Sequence, residues 1–240
     1  MPHIRCCTRG SQPDRPRQAS IGKGGQFCLI LGTETKKTAA MERPAMQKSV
    51  LITGAARGIG LATARIFQAS GYRVALLDRD EKALSEAAKL LPEAEPMLFD
   101  LALPETAEQV ASQIKDTFSG LDALVNNAGV ADFGPIEGCS PDQWRRVMDT
   151  NLDGMFYLTQ TLIPQLKVCA GSVVNIASIS GLRASTLRVA YGTSKAAVMQ
   201  LSKQQAVELG EYGIRVNCVA PGPVRTKLAM AVHTQDIIDA

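Results

Sequence analysis

"SVLITGAARGIG", residues 49–60, decides how the rest of the chain is read. An apolar run of strand length passes through a glycine-rich turn into the first turn of a helical pattern. Glycines at 54, 58 and 60 let the backbone turn tightly and approach a pyrophosphate, which then lies on the positive end of the helix. A glycine-rich turn is weak evidence by itself. Here the next apolar run, "RVALLD", ends on Asp78, eighteen residues beyond Gly60. That is close to the ~20 expected for a carboxylate that binds an adenosine ribose.

The same rhythm continues in both directions. "SVLIT", "RVALLD", "EPMLFD", "LDALVNNAG", "GSVVNIAS" and "IRVNCVAPG" alternate with segments of helical spacing. Asp80 can cap "EKALSEAAKLL", and Pro104 suits the first turn of a helix through "ETAEQVASQI". Ser140-Pro141-Asp142-Gln143 reads as a capping box opening a long helix through Trp144, Val147, Asn151 and Phe156. Gly71 and Gly210 stand where helices end. Strands alternating with helices predict an α/β fold: a Rossmann-like, doubly wound parallel sheet in a single domain covering 48–240.

Composition sets the outer limits. The chain has 240 residues, enough for one domain or two, and 45% of them are apolar, so a core of useful size is available. A net charge of +3 leaves no basic footprint for nucleic acid. Runs such as "VALL" are too short to span a membrane. Cys6, Cys7, Cys28, Cys139, Cys169 and Cys218 show no CxxC spacing. With only His3 and His233 beside them, no metal site is expected, and scattered thiols suit a cytoplasmic protein. Residues 1–47 are rich in Arg, Gly, Pro, Ser and Gln, and are expected to be a disordered or artefactual extension. "FCLIL" within them is too short for the apolar core of a secretory signal.

Asp78 bears on the choice of dinucleotide. A carboxylate accepts hydrogen bonds from ribose hydroxyls but repels a 2′-phosphate, by ~4 kcal/mol at 4 Å and an effective dielectric of 20. Arg57 and Arg79 pull the other way, yet exposed pairs recover only ~0–1 kcal/mol each. NAD is therefore preferred to NADP.

Seven motifs in order resemble the short-chain dehydrogenase/reductase family, from Ser49 to about Thr226. They are "TGAARGIG" (53–60), "FDL" (99–101), "NNAG" (126–129), Asn151 in "TNLDG", Ser178 in "NIASISG", "YGTSK" (191–195) and "PGPVRT" (221–226). The resemblance implies that Gly54, Arg57, Gly58, Ile59, Gly60, Asp78 and Arg79 meet the cofactor. It adds Asp100 and Leu101 beside the adenine, and Asn127, Ala128 and Gly129 along the crevice. Val224 and Thr226 would hold the nicotinamide amide, after the cofactor-binding turn at Pro221-Gly222.

Asn151, Ser178, Tyr191 and Lys195 match the family's catalytic tetrad. Tyr191 and Lys195 are four apart and share a helix face. A phenol titrates near 10, so Lys195 and an oxidised nicotinamide are expected to lower it until Tyr191 can take a proton. Ser178 would bind the substrate oxygen, Lys195 the nicotinamide ribose, and Asn151 a relay water.

The expected activity is hydride transfer between NAD(H) and a secondary alcohol or ketone. The alternatives are an NADP-dependent 3-oxoacyl-carrier-protein reductase and a dinucleotide-binding protein with impaired turnover. The resemblance also implies a further helix and a seventh strand that the sequence up to Ala240 does not supply. The strand at "IRVNCVAPG" is therefore expected to form an open sheet edge. "KLAMAVHTQDIID" is expected to form a helix over the substrate. A homo-oligomer is expected, a dimer in preference to a tetramer. "VADFGPIEG" and "GLRASTLRV" would face the substrate, with Arg183 and Arg188 able to meet an anion.

Overall fold

Residues 49–53 and 73–78 are aliphatic almost throughout, and they form adjacent parallel strands at the middle of the sheet. The structure is a computed structural model that describes residues 47–224 and the backbone of Cys28–Gly32. The strands are β1 Cys28–Gly32, β2 Ser49–Thr53, β3 Arg73–Asp78, β4 Glu95–Leu98, β5 Ala123–Asn126, β6 Ser172–Ile176 and β7 Arg215–Pro221. Among the described residues they make one sheet in the order β1-β7-β6-β5-β2-β3-β4. Strands β2 to β7 are parallel, with the order reversing beside β2, so the doubly wound expectation holds.

The helices are α1 Gly58–Ala69, α2 Glu81–Leu90, α3 Thr106–Thr117, α4 Pro141–Met148, α5 Gly154–Thr161, α6 Ile163–Cys169 and α7 Val189–Leu209. Alternation along the strands sorts the core into two layers. Val50, Ile52, Val74 and Leu76 pack with Ala64 of α1 and Leu84 of α2. Leu51, Leu77, Leu124 and Val173 pack on the other face with Ile114, Leu158 and Leu162. Each fully buried leucine contributes roughly 1.5–3 kcal/mol by leaving water. A strand covered on both faces reads as an unbroken apolar run, which is why β2 and β3 are so clear in the sequence.

The expected open edge is filled. Strand β1 runs antiparallel to β7, with Cys28 opposite Pro221 and Gly32 opposite Asn217. A bare row of N–H and C=O groups is a template for pairing, and "CLILG" is an aliphatic run of strand length. These five residues thus differ from the disorder expected of 1–47.

Most helix ends match their signals. Asp80 accepts a hydrogen bond from Ala83 N, and Ser140 accepts one from Gln143 N. The Gln143 side chain donates to Asp132 instead of closing the capping box. Pro104 falls outside α3, whose N-cap is Glu105, because the preceding turn carries Thr106 N onto Leu103 O. Gly210 continues α7 into a tighter turn, and Gly213 takes the left-handed conformation there. The long helix expected after Ser140 is interrupted by one π turn, Asp149–Asp153, with Asn151 at its centre. Single π turns inside helices re-aim side chains and gather at functional sites.

Candidate active site

At the carboxyl ends of β2, β3 and β5 the loops part around a crevice of about 710 Å³. Of the residues singled out from the sequence, Gly54, Arg57, Gly58, Ile59, Asp78, Arg79, Asp100, Leu101, Asn127, Ala128 and Gly129 line it. Ser178, Tyr191, Lys195, Pro221, Gly222 and Val224 line it as well. Gly60 and Asn151 sit behind the wall. A Cβ on Gly60 would lie 2.2 Å from Gly54 O, so the glycine is required for the loop to pack on α1. Thr226 and the helix expected at "KLAMAVHTQDIID" lie outside the described residues.

The dinucleotide implied by the sequence fits what is present at the first helix. Helix α1 starts with no side-chain cap and no acid in its first turn, and its first residues, Gly58 and Ile59, line the crevice. An uncapped N-terminus facing a cavity is an anion site. Asp78 is fixed at the end of β3, its Oδ2 accepting from Ala56 N at 3.0 Å and its Oδ1 from Asp80 N at 3.0 Å. Each oxygen keeps a lone pair for a ribose hydroxyl. The two arginines that favour a phosphate are engaged elsewhere, Arg57 with Asp80 and Arg79 with Asp100. Thr53 ties the loop to the β5 end, its hydroxyl accepting from Asn127 N at 3.0 Å and Ala128 N at 2.9 Å.

The side expected to be catalytic is built from buried side chains. Asn151 Oδ1 accepts from Val130 N at 2.7 Å, while Nδ2 donates to Val130 O at 2.9 Å and Ser194 Oγ at 3.1 Å. Its amide therefore pins the Gly129–Val130 turn to α7, with one Oδ1 lone pair left over for the relay water that the resemblance implies. A Cβ on Gly129 would come 3.2 Å from Asn151 Oδ1 and 3.4 Å from Lys195 Nζ, so glycine keeps that floor open.

Lys195 is buried and donates to Ile176 O at 2.8 Å. Burial lowers its pKa to about 8, with the neighbouring Cys218 pulling the other way. The Nζ atom lies 5.9 Å from the centre of the Tyr191 ring.

The phenol itself departs from expectation. Burial raises the Tyr191 pKa above its ordinary value, and the Ser178 hydroxyl and the Arg188 charge offset only part of this. The groups in this chain that favour phenolate are thus Ser178 and Arg188, and desolvation outweighs them.

Sequence reasoning missed the support beneath this site. Asn126 Nδ2 donates to Asn175 Oδ1 at 2.9 Å and to Thr159 Oγ1 at 2.9 Å. Asn175 Nδ2 in turn donates to Ser202 Oγ at 2.9 Å and Gln205 Oε1 at 3.0 Å. The chain of amides locks β5 and β6 to α7, which carries Tyr191 and Lys195. Two asparagines inside apolar strands were the available signal, since a buried amide must find partners.

Comparison with known proteins bears on the family. The family model described as "short chain dehydrogenase" matches residues 48–237. Galactitol 2-dehydrogenase of Agrobacterium fabrum is 37% identical over 180 residues, 74% of this chain and 70% of that protein. Among solved structures, an NADP complex of RhlG from Pseudomonas aeruginosa superposes with a TM-score of 0.74 at 33% identity, covering 77% of this chain and 76% of that one. An NAD+-bound xylitol dehydrogenase gives 0.70 at 34% identity, covering 73% and 70%. The share of those relatives' own length matched here runs from 64% in a Streptomyces avermitilis dehydrogenase structure to 76%. Among the described residues no helix is long and apolar enough to cross a membrane.

Proposed function

From the premise that this chain belongs to the short-chain dehydrogenase family, oxidoreductases acting on CH–OH groups with NAD(P), we propose that it interconverts a secondary alcohol and its ketone with a preference for NAD. One observation carries the reading: Tyr191 and Ser178 line the same crevice as the uncapped start of α1 and the Asp78 carboxylate. When bound, the dinucleotide supplies the hydride acceptor or donor and, oxidised, a positive charge beside the phenol.

The rest is the work of the chain. Tyr191 takes the proton of the substrate hydroxyl as phenolate, or returns one to the carbonyl as phenol. Ser178 donates a hydrogen bond to the substrate oxygen and orients it. Lys195 has three N–H donors, one of which goes to Ile176 O, so its ammonium can also hold ribose hydroxyls. Asn151 keeps the Gly129–Val130 turn in register with α7.

The preference for NAD is supported by the fixed Asp78 and by the acids already paired with Arg57 and Arg79. The carrier-protein reductase remains the second reading, favoured by those same arginines if they change partners. A homodimer in the cytoplasm completes the proposal. Exposed Tyr157 on α5 and Val207 on α7 offer apolar surface for pairing, and Cys139 and Cys218 are free thiols.

The test is a panel of secondary alcohols and ketones with NAD and NADP, followed at the nicotinamide absorbance. Turnover with NAD, at a higher kcat/KM than with NADP, is expected. Silence across the panel with dinucleotide binding intact would leave a binding protein without catalysis.

A further inference from the structure

The substrate end of the crevice contains a clamped arginine that the proton-transfer groups do not account for. Leu187 has φ +62°, a left-handed conformation rare for leucine, although its side chain is 53% exposed and gains little by burial. Such a conformation persists where its surroundings impose it, and it gathers at ligand clamps. Its carbonyl accepts from Gly134 N at 3.0 Å, and Gly134 forms a bridge with Arg188. That pairing brings the two substrate-facing loops together. It also lays the Arg188 guanidinium over the Phe133 ring, 4.9 Å from its centre. Phe133 meets Tyr191 edge to face at 5.8 Å. Arg188 Nη1 donates to Ser180 Oγ at 3.2 Å, and Ser180 N donates to Ser178 Oγ at 3.2 Å.

Arg188 is thus held half-buried, with contacts that lead to both Ser178 and Tyr191, and it lines the crevice along with Arg183 and Ser185. We propose that Arg188 is an anion-binding residue of the substrate site, and that the alcohol or ketone handled here carries an oxyanion, carboxylate or phosphate, within a few bonds of the reacting carbon. This rests on the dehydrogenase reading above.

Three physical points support it. A guanidinium stacked on an aromatic face loses little further freedom when it forks onto a carboxylate or phosphate. Arg188 and Tyr191 line the same crevice, so an anion on the guanidinium and a hydroxyl at the phenol can belong to one molecule. Planar bidentate recognition is what distinguishes arginine from lysine at such a place. A strut that merely ties the loops together would treat charged and neutral substrates alike.

The experiment compares 3-hydroxybutyrate, its methyl ester and glycerol 3-phosphate as substrates of the wild-type chain, Arg188→Gln and Arg188→Lys. Loss of a charge-assisted hydrogen bond in a partly buried site changes binding by roughly 10- to 100-fold. The wild type is expected to prefer the acid or the phosphate over the ester by at least about tenfold in kcat/KM. Whichever anion leads identifies the oxyanion. In Arg188→Gln that preference should fall to within about threefold, ester turnover falling too with the charge that favours the phenolate but by less than turnover of the anion, with Arg188→Lys between the two.

A parallel measurement does not depend on turnover: calorimetric binding of acetoacetate and methyl acetoacetate to the NADH-loaded protein. Tighter acetoacetate binding that Arg188→Gln abolishes supports the anion site even if no substrate is turned over, in which case the dehydrogenase reading alone falls. Equal handling of acid and ester by the wild type, in rate and in binding, overturns the inference. So does an equal loss for both in Arg188→Gln.

Discussion

The two ends of the crevice are held in different ways. At the end proposed to bind the nucleotide, geometry comes from the backbone and from neighbours close in sequence. Two glycines shape the loop, an uncapped helix start faces the cavity, and Asp78 is oriented by Ala56 N and Asp80 N. At the end proposed to be catalytic, geometry comes from buried side chains reaching across elements. Asn175 joins β5 to α7, Asn151 joins the turn after β5 to α7, and Lys195 reaches back to the end of β6. The lesson is that a short motif can encode a binding loop, whereas a proton-transfer site depends on amides distributed through the core. Damage should follow the same division. Core amides should cost stability and alignment, and surface charges should adjust only preference.

Asn175→Ala tests the division most heavily. It takes the Asn175 partner from Asn126 Nδ2, Ser202 Oγ and Gln205 Oε1 in the core, while Asn126 keeps Thr159 and Ser202 keeps Val198 O, at roughly 1–3 kcal/mol for each polar atom left unsatisfied. A loss of about 3–5 kcal/mol in denaturant unfolding is expected. A loss below about 1 kcal/mol would mean that the amide chain does not hold α7 in place.

Lys195 gives a smaller effect with a defined sign. Its folded pKa of about 8 lies below the unfolded value of 10.5, so between them the unfolded chain binds more protons. Stability therefore rises with pH across that window. Relative to Lys195→Met, the wild type should gain about 2 kcal/mol of unfolding free energy between pH 7.5 and 9.5. A flat difference would show that the ammonium is better solvated than its position implies.

The smallest expected effect is at the nucleotide end. Asp80→Asn keeps the cap on α2 but releases Arg57. An exposed pair of this kind is worth ~0–1 kcal/mol, so NADP affinity should rise about two- to fivefold while NAD affinity stays level. If NAD affinity falls instead, Asp80 supports the ribose site more directly than its contacts indicate.

The same contrast explains what could be read from the chain. β2, β3, the glycine loop and the Asp80 and Ser140 caps were legible because local pattern determines them. The β1 to β7 pairing was not, because it joins residues nearly the whole chain apart and no local pattern records a distant partner. The π turn around Asn151 and the left-handed Leu187 were equally silent, since each violates its local preference and is imposed by tertiary contacts. Tyr191 and Lys195 were singled out by the family resemblance of "YGTSK", their spacing adding only that they share a helix face. The direction of the Tyr191 pKa was not legible, because desolvation depends on what covers the phenol.

The most direct test of the central claim separates chemistry from binding in Tyr191→Phe. If the phenol moves the substrate proton, kcat should fall by roughly 10²–10⁴ while the dissociation constant for NAD stays within about threefold. Retained turnover, or a loss of NAD affinity in step with the loss of rate, would contradict it.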